Sequence, residues 1–265
     1  MWLVGDSIDL RKVARRFKIE IDGRRTEIAA IKTRLIVIDG EFKISTRAIE
    51  LAMRHDIAIV KIGNPIDFWI YKTYPKKDVS LLLRQFEVCK YMDTSELEQA
   101  IIHNINSLFS RLGIKRVYSV DSAVEEFVHT VELKRGVNPK DVERYLKSFL
   151  IAESLDFVLK SGLEPSIGIR SSTIAEDMAL PLIPISVWYT ILVLDFIPTD
   201  LKVLELRRSI LRKFKNVLKR PVENVHGVVK PIITHLKLQV EAFASSLRNP
   251  MYSFEFFRVG DLLLE

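Results

Sequence analysis

The sequence predicts an α+β chain: a β-rich N-terminal part over residues 1–75, a linker helix over 76–93 and a larger all-α part over 94–265. Three observations carry this. Phe17, Ile19 and Ile21 alternate with Lys18, Glu20 and Asp22, the period of a strand with one buried face. Residues 34–38 (RLIVI) form a short, nearly continuous apolar run, as expected of a strand buried on both faces. From Val79 onward apolar residues recur at intervals of three and four, the helical period. With 265 residues, 48% of them hydrophobic, the chain can bury one large core or two modest ones.

Taken in order, residues 1–16 have no clean period and are basic at Arg11, Lys12, Arg15 and Arg16. Asp22-Gly23 supplies the turn of a hairpin that returns through residues 25–28. The run at 34–38 is expected to end at Asp39-Gly40. Ser45 can cap a short helix over 46–54 that offers Ala48, Ile49, Ala52 and Met53 to a core. Residues 57–60 read as a further strand, and Gly63-Asn64-Pro65 as a turn. Residues 66–74 are β-prone, and Phe68, Trp69, Tyr71 and Tyr74 are interleaved with Lys61, Lys72, Lys76 and Lys77. That mixture can stack on nucleic acid, although aromatics more commonly build a core or subunit interface.

After a linker at 74–77, Val79, Leu82, Leu83, Phe86 and Tyr91 read as the inner face of a helix. Thr94 or Ser95 caps the next, with Leu97, Ile101, Ile105, Leu108 and Phe109 inward. Residues 122–133 carry Glu125, Glu126 and His129 at helical offsets. A Glu-x-x-His pair can be half of a carboxylate metal site, but most such charges form a solvated face. A long helix from Asn138 turns Val142, Leu146, Phe149, Leu150, Leu155, Val158 and Leu159 inward and stops at Gly162.

The stretch 160–180 is the candidate functional region. Pro165 forbids continuation of the preceding helix, and Gly168 allows close backbone approach. Ser171, Ser172 or Thr173 can cap a new helix carrying Glu176 and Asp177. Only Glu164, Glu176 and Asp177 there could hold a hard metal, and the stretch lacks His and Cys. Residues 186–197, between Pro184 and Pro198, read as a buried helix rather than a membrane span, which needs about 20 apolar residues. Residues 201–220 are strongly one-sided: Arg208, Arg212, Lys215 and Lys219 line up opposite an apolar stripe, with Glu205 the only acid. Stacked like charges destabilise a helix unless an anion lies alongside, and a phosphate backbone would suit. A last helix follows over 232–247. Residues 250–265 read as a tail that packs Tyr252, Phe254, Phe256 and Phe257.

A net charge of +6 makes an anionic partner reasonable, nucleic acid above all. The single cysteine, Cys89, excludes an internal disulfide and any cysteine-built zinc site, and fits a reducing cytoplasm. The opening Met-Trp-Leu-Val run is too short for a signal peptide and has no basic leader, so no membrane role is expected. Three glutamines among many Ile, Lys, Arg and Glu match a thermophile's composition.

Three blocks in order resemble one family, the CRISPR-associated spacer-acquisition integrases, the larger of the two universal CRISPR adaptation proteins. Residues 42–60 (FKISTRAIELAMRHDIAIV) resemble its helix-and-strand block. Residues 162–168 (GLEPSIG) are similar to its Gly-Leu-Asp-Pro-aromatic-Leu-Gly loop, and residues 233–248 (ITHLKLQVEAFASSLR) to its final helix. The resemblance implies metal-dependent cleavage and transesterification of DNA by a homodimer formed through the N-terminal domain, joined by a small adaptation partner protein. It also implies a Glu early in the helical domain, a His after the glycine loop, and an Asp followed by a further acid.

Position by position, the His falls on Ser171, the first acid on Asp177 and the second on Leu180; Asp121, Glu125 and Glu126 are candidates for the early Glu. A neutral hydroxyl and an isobutyl group supply neither ligand nor acid. The expectation is therefore a degenerate member without catalysis or a cofactor that still holds DNA through Arg170, Arg208, Arg212, Lys215 and Lys219. Two alternatives stand beside it. One is an active enzyme holding Mg2+ or Mn2+ on Glu126, His129 and Asp177; the other is a structural partner of an active paralogue.

Overall fold

A computed structural model describes all residues except Asn64, residues 72–77, Thr199 and residues 261–265. The expected linker at 74–77, and with it Lys72, Tyr74, Lys76 and Lys77, lies outside the described residues. The N-terminal part is a six-stranded sheet in the order β3-β2-β1-β4-β5-β6. Its strands are β1 (Trp2–Val13), β2 (Arg16–Ile21), β3 (Arg24–Ala29), β4 (Leu35–Ile44), β5 (Ala58–Ile62) and β6 (Ile66–Ile70). β1 runs parallel to β4 and β4 to β5, while the other pairings are antiparallel. The Asp22-Gly23 turn has φ +49° and +79°, the left-handed pair that a two-residue hairpin requires.

The unpatterned opening is in fact the central strand β1. Its register slips between Val4 and Ser7, which breaks the two-residue alternation by which a strand is recognised in sequence. Nor does β4 stop at Asp39-Gly40. Gly40, at φ +134°, lets the strand run on to Ile44 past Gly5, and a Cβ at Gly40 would lie 1.7 Å from the Gly5 carbonyl oxygen.

Each face of the sheet has its own cover. Helix α1 (Thr46–Arg54), capped by Ser45 Oγ accepting from the Ala48 amide, lies with Ala48, Leu51 and Ala52 against Ile8, Leu10, Phe17, Ile36 and Ile38. Ile49 and Met53 are only half-buried. The opposite face, through Val4, Leu35, Val37, Ala58 and Val60, belongs to the same hydrophobic core as the helices. Those are α2 (Val79–Tyr91), α3 (Thr94–Arg111), α4 (Val120–Arg135), α5 (Lys140–Lys160), α6 (Ile174–Ala179), α7 (Tyr189–Leu192), α8 (Leu204–Leu218) and α9 (Ile232–Arg248). A small hairpin, β7 (Pro221–Glu223) with β8 (Val229–Pro231), precedes α9. The sequence reading did not contain it, because three-residue strands show no period.

α5 is the axis of the helical part. Val142, Leu146, Phe149, Leu150, Leu155 and Val158 are buried as expected, but so are Ser148, Glu153, Ser154 and Asp156. Arg34, just before β4, ion-pairs with both Glu153 and Asp156, and Trp2 Nε1 donates to Glu153 at 2.8 Å. Burial pushes the Asp156 carboxyl above its usual range, against the pull of Arg34 and Lys160.

Two expectations about helix faces and ends change. In α2 the buried residues are Leu81, Gln85 and Cys89, whereas Val79, Leu83, Phe86 and Tyr91 are exposed. The stretch after α6 does not break at its prolines. It continues through a 3-10 turn, Leu180–Leu182, and a π-helical turn, Pro184–Trp188, into α7. Pro181 and Pro184 lack amide hydrogens, and the changes of hydrogen-bond register carry the helix past them.

Candidate functional site

The glycine loop lies between α5 and α6. Gly162, at φ +77°, ends α5 as a left-handed exit. Thr173 Oγ1 opens α6 by accepting from the Glu176 amide at 3.2 Å. The chain between them is clamped from two sides. From α2, the buried Gln85 donates to the carbonyls of Glu164 and Ile167 and accepts from the Glu164 amide at 2.8 Å. From α6, the fully buried Asp177 accepts from the amides of Ile169 at 2.5 Å and Ser171 at 2.8 Å, with Arg170 at 3.3 Å. Gly168 is required here because a Cβ would meet Asp177 Oδ2 at 2.8 Å and the Ser171 carbonyl at 2.3 Å.

The thiol of Cys89, beside the Ile167 carbonyl, is pushed up to about 12 by burial and then by the negative charge of Asp177. It is a protonated packing residue.

The other acids of the loop also have partners. Glu176 pairs with Lys147 of α5 at 2.8 Å, and Glu164 accepts from Ser166 Oγ at 2.9 Å. Ser171 and Leu180 are half-buried, and Arg170 pairs with Glu98 of α3 at 3.0 Å. On α4, Asp121, Glu125 and His129 are exposed and Glu126 is half-buried. Glu126, His129 and Asp177 do not converge: among the described residues no three His, Cys, Asp or Glu side chains form a group able to hold a metal ion.

A divalent cation of the Mg2+ or Mn2+ kind needs several oxygen ligands from fixed directions. Here backbone amides occupy the Asp177 carboxylate and an ammonium neutralises Glu176. The donor set does not fit the metal that the family resemblance implies.

The basic helix is likewise partly engaged. Arg207 pairs with Asp6 at 3.0 Å and Asp39 at 3.1 Å, and Tyr145 Oη donates to the same Asp39 at 2.6 Å. Burial, then Asp39, raises the Tyr145 phenol far above its ordinary range. Arg208, expected on the DNA face, instead donates to the Val4 carbonyl at 3.0 Å and pairs with Asp22 at 2.9 Å and Glu205 at 3.1 Å. Arg208 staples α8 to the sheet, because Asp22 and the bulge of β1 come within its reach. Asp22 is held below the usual carboxylate range by the Ser7 and Asp6 amides together with Arg208. Arg212, Lys215 and Lys219 remain exposed.

Sequence reasoning missed Gln85, Arg34 and the Glu153/Asp156 pair. A Gln on a helix, or two acids three apart, carries no local mark of burial. A Gln four residues from Cys89 and four from Leu81 was the one available hint.

The solved structures similar to this chain include a Cas1 protein from Thermotoga maritima, with a TM-score of 0.73 and 14% identity over 94% of this chain and 96% of that one. A casposase bound to integration product is also similar, with a TM-score of 0.71 and 14% identity over 97% and 92%. TtCas1 gives 0.61 and 12% over 94% and 97%. At these identities the likeness establishes the fold. None of the curated proteins matches. The family model for CRISPR associated protein Cas1 matches residues 1–138, which takes in the whole sheet and α1 to α4 and is just over half of the chain. Sheet, helical order and family match agree, and the chain belongs to the Cas1 family.

Proposed function

We propose that this chain is a non-cutting Cas1 family member that holds DNA, or organises the assembly around it, during CRISPR spacer acquisition. The observation that carries this reading is the use of Asp177: a carboxylate that would be a ligand in a metal site is buried and capped by loop amides. Ser171 and Leu180, at the His and second-acid positions, leave it without help. The exposed Arg212, Lys215 and Lys219, together with the net charge of +6, support contact with a phosphate backbone. Two similar structures support partnership with DNA and with Cas2: one is a casposase bound to integration product, and another a complex of Cas6-RT-Cas1 with Cas2. A homodimer through the N-terminal sheet is part of the proposal, supported by Phe68 and Trp69, which are more than a third exposed on the edge strand β6. No helix among the described residues is long and apolar enough to cross a membrane.

The test is a manganese-supplemented cleavage and strand-transfer assay on branched and linear DNA. No turnover is expected. Turnover that Asp177→Asn abolishes, in a variant still folded by circular dichroism, would overturn the reading. DNA binding is tested by the salt dependence of affinity. If Arg212→Glu with Lys215→Glu leaves affinity and salt slope unchanged, the chain is a structural partner and its helix a solvated face.

A further inference from the structure

We infer that the cleft between the β2–β3 hairpin and α8 is a binding site for one nucleotide unit, its phosphate on Arg24, Arg212 and Lys215 and its ring toward the apolar floor at Trp2. The inference builds on the proposed DNA-holding role and gives it a place and a ligand unit.

The cleft encloses about 400 Å³, within the range of small-ligand pockets. Its floor is apolar, with Trp2, Val4, Ile21 and Leu211, and its walls carry five cations and no acid. Two of these cations are compensated by acids outside the lining: Arg208 by Asp22 and Glu205, and Arg25 by Glu20 at 2.8 Å. Arg24, Arg212 and Lys215 have no ion-pair partner among the described residues. Lys215 lies 5.8 Å over the Trp2 ring.

Two unrelated parts of the sequence make this convergence. Arg24 and Arg25 open β3, directly after the hairpin turn. Arg208, Leu211, Arg212 and Lys215 recur at offsets of three, one and three, which is one face of α8. The sequence pattern leaves that face open to solvent, whereas the fold closes the hairpin over it. Guanidinium and ammonium groups gathered against an apolar floor repel one another unless an anion enters, and a phosphate ester with a flat ring matches both charge and floor. Trp2 is held rigid by Glu153 and by Phe149, whose ring centroid is 4.8 Å away, so the floor is preformed.

A nucleotide can come free or as part of a strand, and two probes separate these sources: dTMP and a fluorescent oligothymidylate. Affinity is read by anisotropy for the strand, and by tryptophan emission in a Trp69→Phe background for both. That background leaves Trp2 and the buried Trp188. Arg24→Ser with Arg212→Ser, both at exposed positions, is expected to weaken binding about tenfold and to lower the strand's salt slope by about 2. Lys237→Ser, on α9, should change neither.

Loss for both probes supports a site open to free nucleotides. Loss for the strand, with dTMP silent, supports a strand-borne unit. If the strand binds as tightly to the double variant and leaves Trp2 emission unmoved, the cleft inference is overturned and the DNA-holding role stands. If dTMP binds through Trp2 but no strand does, the reverse holds. Binding of neither probe overturns the site.

Discussion

Asp177 shows how one buried carboxylate can hold a loop together. Its side chain takes three loop amides in a fully buried position, so Asp177→Ala would leave buried donors without partners, at a cost of about 3 kcal/mol. Urea denaturation should read this as a lower midpoint, and hydrogen exchange should show the amides of residues 169–171 losing protection first. The neighbouring Cys89 gives an independent readout. Its thiol is raised from an ordinary value of 9.0 to about 12, chiefly by burial. Between those values the unfolded chain has lost the proton while the folded chain keeps it, so this group's contribution to stability falls as pH rises from about 9 to about 12. As the only cysteine, it should react with iodoacetamide at pH 8 at the rate at which the loop opens, and faster in Asp177→Ala. Rapid alkylation of the native chain would mean that the loop is not clamped. From the sequence, residues 160–180 were legible as a sharply turned polar loop and Asp177 as one of its three acids, beside Glu164 and Glu176. The partners of Asp177 were not, because backbone amides leave no trace in composition.

At the scale of elements, α8 is fixed to the sheet by two adjacent arginines. Arg207 lies between Asp6 and Asp39 with its side chain 13% exposed, and Asp39 also takes the Tyr145 hydroxyl. Arg207→Ala leaves the buried Asp39 carboxylate with one partner fewer and should destabilise the fold by about 3 kcal/mol. A double-mutant cycle with Asp39→Asn should return a coupling of about 1–3 kcal/mol, and zero coupling would remove the staple. Gly40→Ala is expected to be more severe, since the added carbon meets the Gly5 carbonyl and the backbone is left-handed. The predicted outcome is loss of soluble folded protein or a destabilisation above about 3 kcal/mol by thermal melting. Most helices were readable from their 3.6-residue period, whereas the inner face of α2 was not. Its outer stripe of Val79, Leu83 and Phe86 is the more apolar one, and the inner face is chosen by Gln85, which satisfies the carbonyls of the loop.

For the whole molecule, one face of the sheet shares a core with the helices after it, so the N-terminal part is as much a wall of the helical part as a unit of its own. The proposed homodimer places a second copy on the edge strand β6, at Phe68 and Trp69. Sedimentation should show a dimer that Trp69→Asp dissociates without lowering the melting temperature; an unchanged dimer would move the interface elsewhere. The net charge of +6 gives nonspecific attraction to polyanions, but its distribution matters more. Arg207, Arg208 and Lys213 are paired within the chain, Lys213 with Asp195, whereas Arg24, Arg212 and Lys215 face one cleft.

By itself the sequence determined the α+β class, most of the helices, the family resemblance, and the Ser and Leu at positions 171 and 180, where that resemblance expects a His and a second acid. Each of these is set by residue type or local period and survives without knowledge of neighbours. Only the tertiary structure decided that β1 is the central strand, that Asp177 holds amides, that Arg208 staples two layers and that the remaining cations meet the hairpin. Those are contacts between residues as far apart as Val4 and Arg208, and no local pattern encodes which distant partner a side chain will reach.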